Sequence, residues 1–247
     1  MSTWQIQTSQ FLLPKSGIEL SECEDAIAIN EVSGRFAVAD GATEAFDSQS
    51  WARLLVKDWV QLAPVAQTPE DFWVFVSGRA QVLHDSWSGL RLSWYSEEKA
   101  RTGSFAAFVG VQLALEAPAP SWHAIALGDS CLVHCRDNAV LTSLPLAKSE
   151  QFNAAPLLVP SLSKLQGFAL DKVVSGTGSL EKDDVLLLLS DAIACWYLRA
   201  DEQTRSNFDV LLKKGRETEL CELISDERSR GRMSDDDVAV IRIGLEG

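Results

Sequence analysis

The chain has 247 residues, 46% of them hydrophobic, which is enough apolar material for a large packed core and too much for a disordered protein. Its 35 acidic side chains against 22 Lys and Arg leave a net charge of −13, which excludes a basic nucleic-acid-binding surface and attraction to an anionic membrane. A protein this acidic that handles a phosphorylated substrate needs cations to mediate the contact. Five cysteines without a framework spacing fit a reducing, cytoplasmic setting. Cys131 and Cys135 of "CLVHC" stand about 13 Å apart along a strand, too far to share one zinc, and read as core thiols. No signal peptide is visible at the start, and the longest apolar run, Val185 to Leu198, is too short to span a bilayer.

In chain order, the first clear element is a hairpin. One strand runs from Ala26 to Asn30, a turn falls at Ser33-Gly34, and the return strand runs from Arg35 to Ala39. "SQSWARLLVKDWVQLA" reads as an amphipathic helix closed by Pro64, with Trp51, Leu55 and Trp59 on one face. A second helix opens on Thr68 as N-cap, with Pro69 behind it and Asp71 completing a capping box, and runs to about Leu90. Strands follow at "GSFAAFVGVQLALE", "SWHAIALGD", "CLVHCR" and "AVLTSLPL", the last two joined through Asp137-Asn138. Ala147 to Leu170 has little periodicity and reads as a long surface segment. "DVLLLLSDA" is a fully buried strand, a helical tail runs from about Ala192 to Arg228, and "VAVIRIGL" closes the chain as a strand. This order is not the βαβα alternation of a parallel sheet. It predicts an α+β layered sandwich over residues 1–247, a single domain with antiparallel sheets covered by helices.

The apolar strands end on bare carboxylates. Asp40 ends "FAVAD" and is followed by Gly41, Asp129 ends "AIALGD", Asp191 ends "LLLLSD", Asp235, Asp236 and Asp237 precede "VAVIRI", and Glu24-Asp25 precede the first hairpin strand. Any one of these is an ordinary turn or solvated acid. If the strand mouths converge, each pair at about 4 Å repels by roughly 4 kcal/mol at an effective dielectric near 20. Such a cluster persists protonated or around cations, and all-oxygen ligands favour hard ions over zinc. His84, His123 and His134 lack metal-site spacing and read as structural.

The ordered set "ECEDA", "VADG", "TGSF", "LGDS", "LLLSDA" and "SDDDVAVI" spans nearly the whole chain and resembles the protein phosphatase 2C family of metal-dependent serine/threonine phosphatases, in a compact bacterial-type, single-domain form. The resemblance implies a four-layer αββα sandwich and a centre of two Mg²⁺ or Mn²⁺ ions. Asp40 would bridge the ions, the Gly41 carbonyl would bind one, and Asp191 and Asp236 would ligate the other. Glu24 would bind through water, with Asp25, Asp129 and Asp237 as neighbours that hold the ligands; Asp235 or Asp237 could replace Asp236 if the register slips by one. The implied activity is hydrolysis of phosphoserine and phosphothreonine in proteins, in signal transduction opposite a separate kinase system. Three features depart from the expected pattern: Leu20 stands for a phosphate-gripping arginine, Ala100 for a third-metal aspartate, and "DGATEA" for an Asp-Gly followed by His or Met and a pair of glycines. Lys15, Arg35 and Arg101 are the cations that could substitute. The alternative implied by these departures is a weak or inactive pseudophosphatase that binds phosphoproteins. A hydrolase of small phosphate esters is a third reading.

Overall fold

The computed structural model describes residues 4–62, 66–89, 91, 93–116, 119–152, 155–162 and 170–246. The expected Pro64 and Leu90 boundaries lie outside the described residues, as do parts of the "APAP" turn and of the 147–170 segment.

Apolar strands, the central ones buried on both faces, build two antiparallel sheets. The hairpin forms as read, but β2 (Asp25–Asn30) and β3 (Arg35–Gly41) are longer at the open end than the apolar run suggests. The reason is continued pairing: Asp25 stands opposite Asp40, and the Gly41 amide donates to the Glu24 carbonyl at 3.2 Å. β3 continues into β4 (Phe105–Ala114), β5 (Ser121–Leu127) and β9 (Val174–Ser179), giving the order β2-β3-β4-β5-β9, with the short β8 (Val159–Pro160) beside the start of β4. The second sheet has the order β1-β11-β10-β6-β7, from β1 (Gln5–Leu13), β6 (Cys131–Arg136), β7 (Ala139–Leu144), β10 (Val185–Leu189) and β11 (Val238–Glu246). β1 carries no strong pattern of its own. It is held by pairing with β11 over its whole length, from Gln5 opposite Glu246 to Leu13 opposite Val238.

Six helices are present among the described residues. α1 (Ser48–Gln61) and α2 (Pro69–Trp87) cover the first sheet, and α2 starts on the expected Thr68–Asp71 capping box. A short α3 (Trp94–Thr102) follows them. The expected helical tail is three helices, α4 (Asp191–Arg199), α5 (Glu202–Lys213) and α6 (Glu217–Ser229). The break before α5 comes from Asp201, whose side chain caps the Thr204 amide at 2.7 Å.

Three cores hold the layers. Phe36, Val38, Val109 and Ala124 of one sheet meet Leu186, Leu188, Ala239 and Ile241 of the other. Outside them, Trp51, Leu55, Trp59, Phe72 and Val76 pack on Ala37, Ala39 and Phe108, while Ile193, Trp196, Phe208 and Ile224 pack on Leu187, Leu189 and Val240. The architecture is the expected αββα sandwich. No described helix is long and apolar enough to cross a membrane.

Candidate metal centre

The alternation that fills the core also aims the acids. Phe36 and Val38 face the opposite sheet, so Asp40 does too, and Ile27 and Ile29 set the same direction for Asp25. Because Glu24 and Gly41 form the hydrogen-bonded pair, Asp25 and Asp40 form the non-bonded one, where side chains approach most closely. From the other sheet, Leu186 and Leu188 project inward, and the next inward position is the buried Ser190, followed by Asp191 at the first turn of α4. Ala239 and Ile241 set the inward direction for Asp237 at the start of β11. Asp129 enters from the turn after β5. A Cβ on Gly128 would lie 2.6 Å from the Ala107 Cβ, so this turn is pressed onto the residue that pairs with Asp40.

These carboxylates raise one another. Burial, with opposition from the Ser190 hydroxyl and reinforcement from Asp191, Asp237 and Asp236, pushes Asp25 well above the usual carboxylate range. Burial and the charges of Asp25, Asp191, Asp129 and Asp236 do the same to Asp40. Burial and Asp191 push Asp129 up to about 7, and burial and Asp236 push Asp191 up to about 6, while a hydrogen bond links the Asp191 and Asp40 side chains. Asp25 is 2% exposed, and neither of its carboxylate oxygens has a hydrogen-bond partner of acceptable geometry, Ser190 being near enough to favour the anion without bonding it well.

The triple aspartate divides its labour. Asp237 accepts from the Lys15 amide at 2.8 Å and the Glu24 amide at 2.7 Å, and Asp235 accepts from the Ser16 amide at 3.0 Å and its hydroxyl at 2.9 Å. Both therefore pin the 15–24 loop. Asp236 accepts only from the amide of Asp237 among these side-chain contacts and is the acid of the three whose charge bears most on Asp191. The pinned loop brings Lys15 to the rim, with its Nζ 3.5 Å from Glu24 Oε2 and 3.4 Å from Thr43 Oγ1. Burial alone would lower the Lys15 pKa, but Glu24, Asp236 and Asp237 raise it. Glu24 also accepts from the Thr43 hydroxyl at 2.6 Å and the Ser48 hydroxyl at 2.7 Å, so it is already held on both oxygens.

The other residues singled out by the sequence fall as follows. Arg35 lies at the far end of β3 from Asp40, bonded to Gln112 and the Leu62 carbonyl, and cannot reach the acids. Leu20, in a 3-10 turn, is 54% exposed and carries no charge for a phosphate. Ala100 sits on α3, whereas the additional carboxylate of the cluster comes from Asp129. Gly41 is glycine because a Cβ there would lie 2.8 Å from the Ser48 carbonyl oxygen and 3.1 Å from the Glu24 carbonyl oxygen, a packing requirement that needs no ion. His134 is structural, between Trp122 and Asp184, and all five cysteines are unpaired.

The donor chemistry fits a hard divalent cation, and the orphaned oxygens of Asp25 are what such a charge would satisfy. Among the described residues, however, no three His, Cys, Asp or Glu side chains already form a ready ligand set.

No protein-family model and no curated protein matches the chain. Solved structures do. The catalytic domain of serine/threonine phosphatase PstP, in complex with two manganese ions, aligns over 99% of this chain and 100% of its own, with a TM-score of 0.64 and 13% identity. The Mycobacterium tuberculosis phosphatase PstP/Ppp aligns over 98% and 99%, with a TM-score of 0.66 and 13% identity. A PPM Ser-Thr phosphatase from Mycobacterium smegmatis, MsPP, covers 97% and 98%, at a TM-score of 0.57 and 15% identity. From end to end, then, this chain has the fold of the protein phosphatase 2C-type serine/threonine phosphatases.

Proposed function

We propose that the chain is a metal-dependent phosphoprotein phosphatase that hydrolyses phosphoserine and phosphothreonine. The observation that carries this reading is the convergence of Asp25, Asp40, Asp129, Asp191 and Asp236 from both sheets at one end of the sandwich, in a fold shared with such enzymes. Asp40, Asp191 and Asp236 would hold two Mg²⁺ or Mn²⁺ ions, with the Gly41 carbonyl and, through water, Glu24. Bound there, such ions would activate a water for in-line attack and neutralise the phosphoryl oxygens.

The chain's own groups do the positioning. Asp237 and Asp235 fix the 15–24 loop, and Thr43 and Ser48 orient Glu24. Lys15 is the cation placed at the rim, where its ammonium could meet an incoming phosphoryl group in place of the arginine missing at Leu20. Asp25 and Asp129 add negative charge that a third oxygen-bound cation could share. No side-chain nucleophile is needed. Cys23 is fully buried with its thiol pushed up by burial, and Ser130 is fully buried.

The exposed, uncharged Leu20 at the position of a phosphate-gripping arginine favours one competitor, a phosphoprotein-binding pseudophosphatase. Initial rates of phosphate release from p-nitrophenyl phosphate and a phosphothreonine peptide, with Mn²⁺ and Mg²⁺ titrated, decide between them. Metal-dependent turnover lost in Asp40→Asn and Asp191→Asn supports the enzyme. Metal binding by calorimetry without turnover supports the competitor.

A further inference from the structure

A cavity of about 290 Å³ opens beside the carboxylates and is not accounted for by them. Its floor is Leu127 at the end of β5, and its walls include Leu146, Leu157 and Val174, with Lys172 at the edge. Asp129 lines the same cavity and also stands in the electrostatic cluster with Asp191 and Asp236, so cavity and acids share a wall. Leu157 is 46% exposed at the opening, and Lys172 is taken up by Asp171 at 3.1 Å, which leaves a mostly apolar recess. The volume lies at the lower limit for a small-molecule site and suits a single side chain.

The sheet supplies the distance. Asp40 pairs with Ala107 on β4, and the adjacent Phe108 pairs with Leu127 on β5, so the Leu127 backbone lies two strand spacings, about 10 Å, from the Asp40 backbone. The Leu127 side chain is on the helix-covered face, and Asp129, two residues on, links the cavity to the acids. An extended polypeptide advances about 3.3–3.6 Å per residue and covers that span in two or three residues. We propose that this cavity receives an apolar side chain of the phosphorylated polypeptide, two or three residues away from the phosphoserine or phosphothreonine. The proposal rests on the phosphoprotein reading above and adds to it a preference for an apolar neighbour.

The test uses the full chain in Mn²⁺ and labelled peptides bearing a phosphonate in place of the phosphate, whose C–P bond does not hydrolyse. Leu, Ser or Glu is placed two or three residues to either side of the phosphonate residue, and affinity is read by fluorescence anisotropy. At one of these positions the Leu peptide is expected to bind about tenfold more tightly than the Ser peptide. That ratio is expected to fall near one in Leu157→Glu and partway in Leu157→Ala, each checked for folding by circular dichroism. Equal binding of Leu and Ser peptides by the wild type overturns the proposal, as does a ratio that survives in folded Leu157→Glu. Parallel phosphate release from p-nitrophenyl phosphate separates the two readings. Discrimination without turnover keeps the subsite and removes the enzyme, whereas turnover without discrimination removes the subsite alone.

Discussion

Strand β10 is bracketed by two acidic sites of opposite character. At its start, Asp184 is fully buried and fully partnered: Arg136 donates to its two oxygens at 2.7 and 2.9 Å, His134 lies at 2.9 Å, and the Glu181 amide donates at 2.8 Å. Burial would raise its pKa, but Arg136, that amide and His134 hold it below the usual range. Past the other end, seven residues on, Asp191 joins Asp40, Asp129 and Asp236, with the orphaned Asp25 behind them, and burial and like charge push the affected acids up. The cations at that end are Lys15 at the rim, beside Glu24, and Arg228, which donates to the Asp236 backbone carbonyl and pairs with Asp235 at 3.5 Å. Among the described residues neither makes a hydrogen bond or ion pair with the carboxylates of Asp25, Asp40, Asp129 or Asp191. A buried acid supplied with its own cations is part of the scaffold. A group of acids left without them is a site that stability alone does not explain.

The contrast can be broken by mutation. The largest expected effect is on turnover: Asp40→Asn or Asp191→Asn lowers metal-supported phosphate release by about 100-fold or more. Stability should then move in opposite directions at the two sites. Asp184→Asn strands Arg136 and His134 and costs about 3 kcal/mol in denaturant unfolding. Asp25→Asn replaces a buried carboxyl whose ionisation burial and like charge oppose, and is expected to leave the metal-free protein at least as stable as wild type while weakening the gain in Tm expected from Mn²⁺.

The pH response sharpens the same point. Asp129 and Asp191 have folded pKa values raised to about 7 and about 6, so the folded state holds protons that the unfolded chain releases near pH 4. Their contribution is present at low pH and lost as pH rises through those values. In chelator, Tm is therefore expected to fall between pH 5 and pH 8, and Mn²⁺ or Asp129→Asn is expected to flatten that fall. A Tm that rises over the same interval and does not respond to either change would overturn the cluster electrostatics. The smallest effect is at the rim: Lys15→Met raises KM for p-nitrophenyl phosphate about tenfold, the worth of one hydrogen bond to a charged group, with a smaller change in kcat and Lys15→Arg restoring most of it.

Much of this was legible in the chain itself. Apolar runs marked β3, β4, β5 and β11, the Thr68–Asp71 box marked the start of α2, and the strand-end acids singled out Glu24, Asp40, Asp129, Asp191 and the 235–237 run. β1 was not legible, because a weakly patterned strand is made by its partner rather than by its own residues. Nor was the difference among Asp235, Asp236 and Asp237, which are chemically identical and are told apart only because Asp235 and Asp237 meet amides of a loop more than 200 residues away while Asp236 accepts from its neighbour Asp237.

Local chemistry therefore determined the elements and the inventory of acids, since periodicity and turn preference act over a few residues. Tertiary structure decided what each acid faces. It placed Asp25 opposite Asp40 and set both against Asp191 of the other sheet, pressed Ser48 onto Gly41, removed Arg35 to the far end of its strand and brought Lys15 to the rim. Charge interactions depend on distances through space, and those exist only once the two sheets have packed.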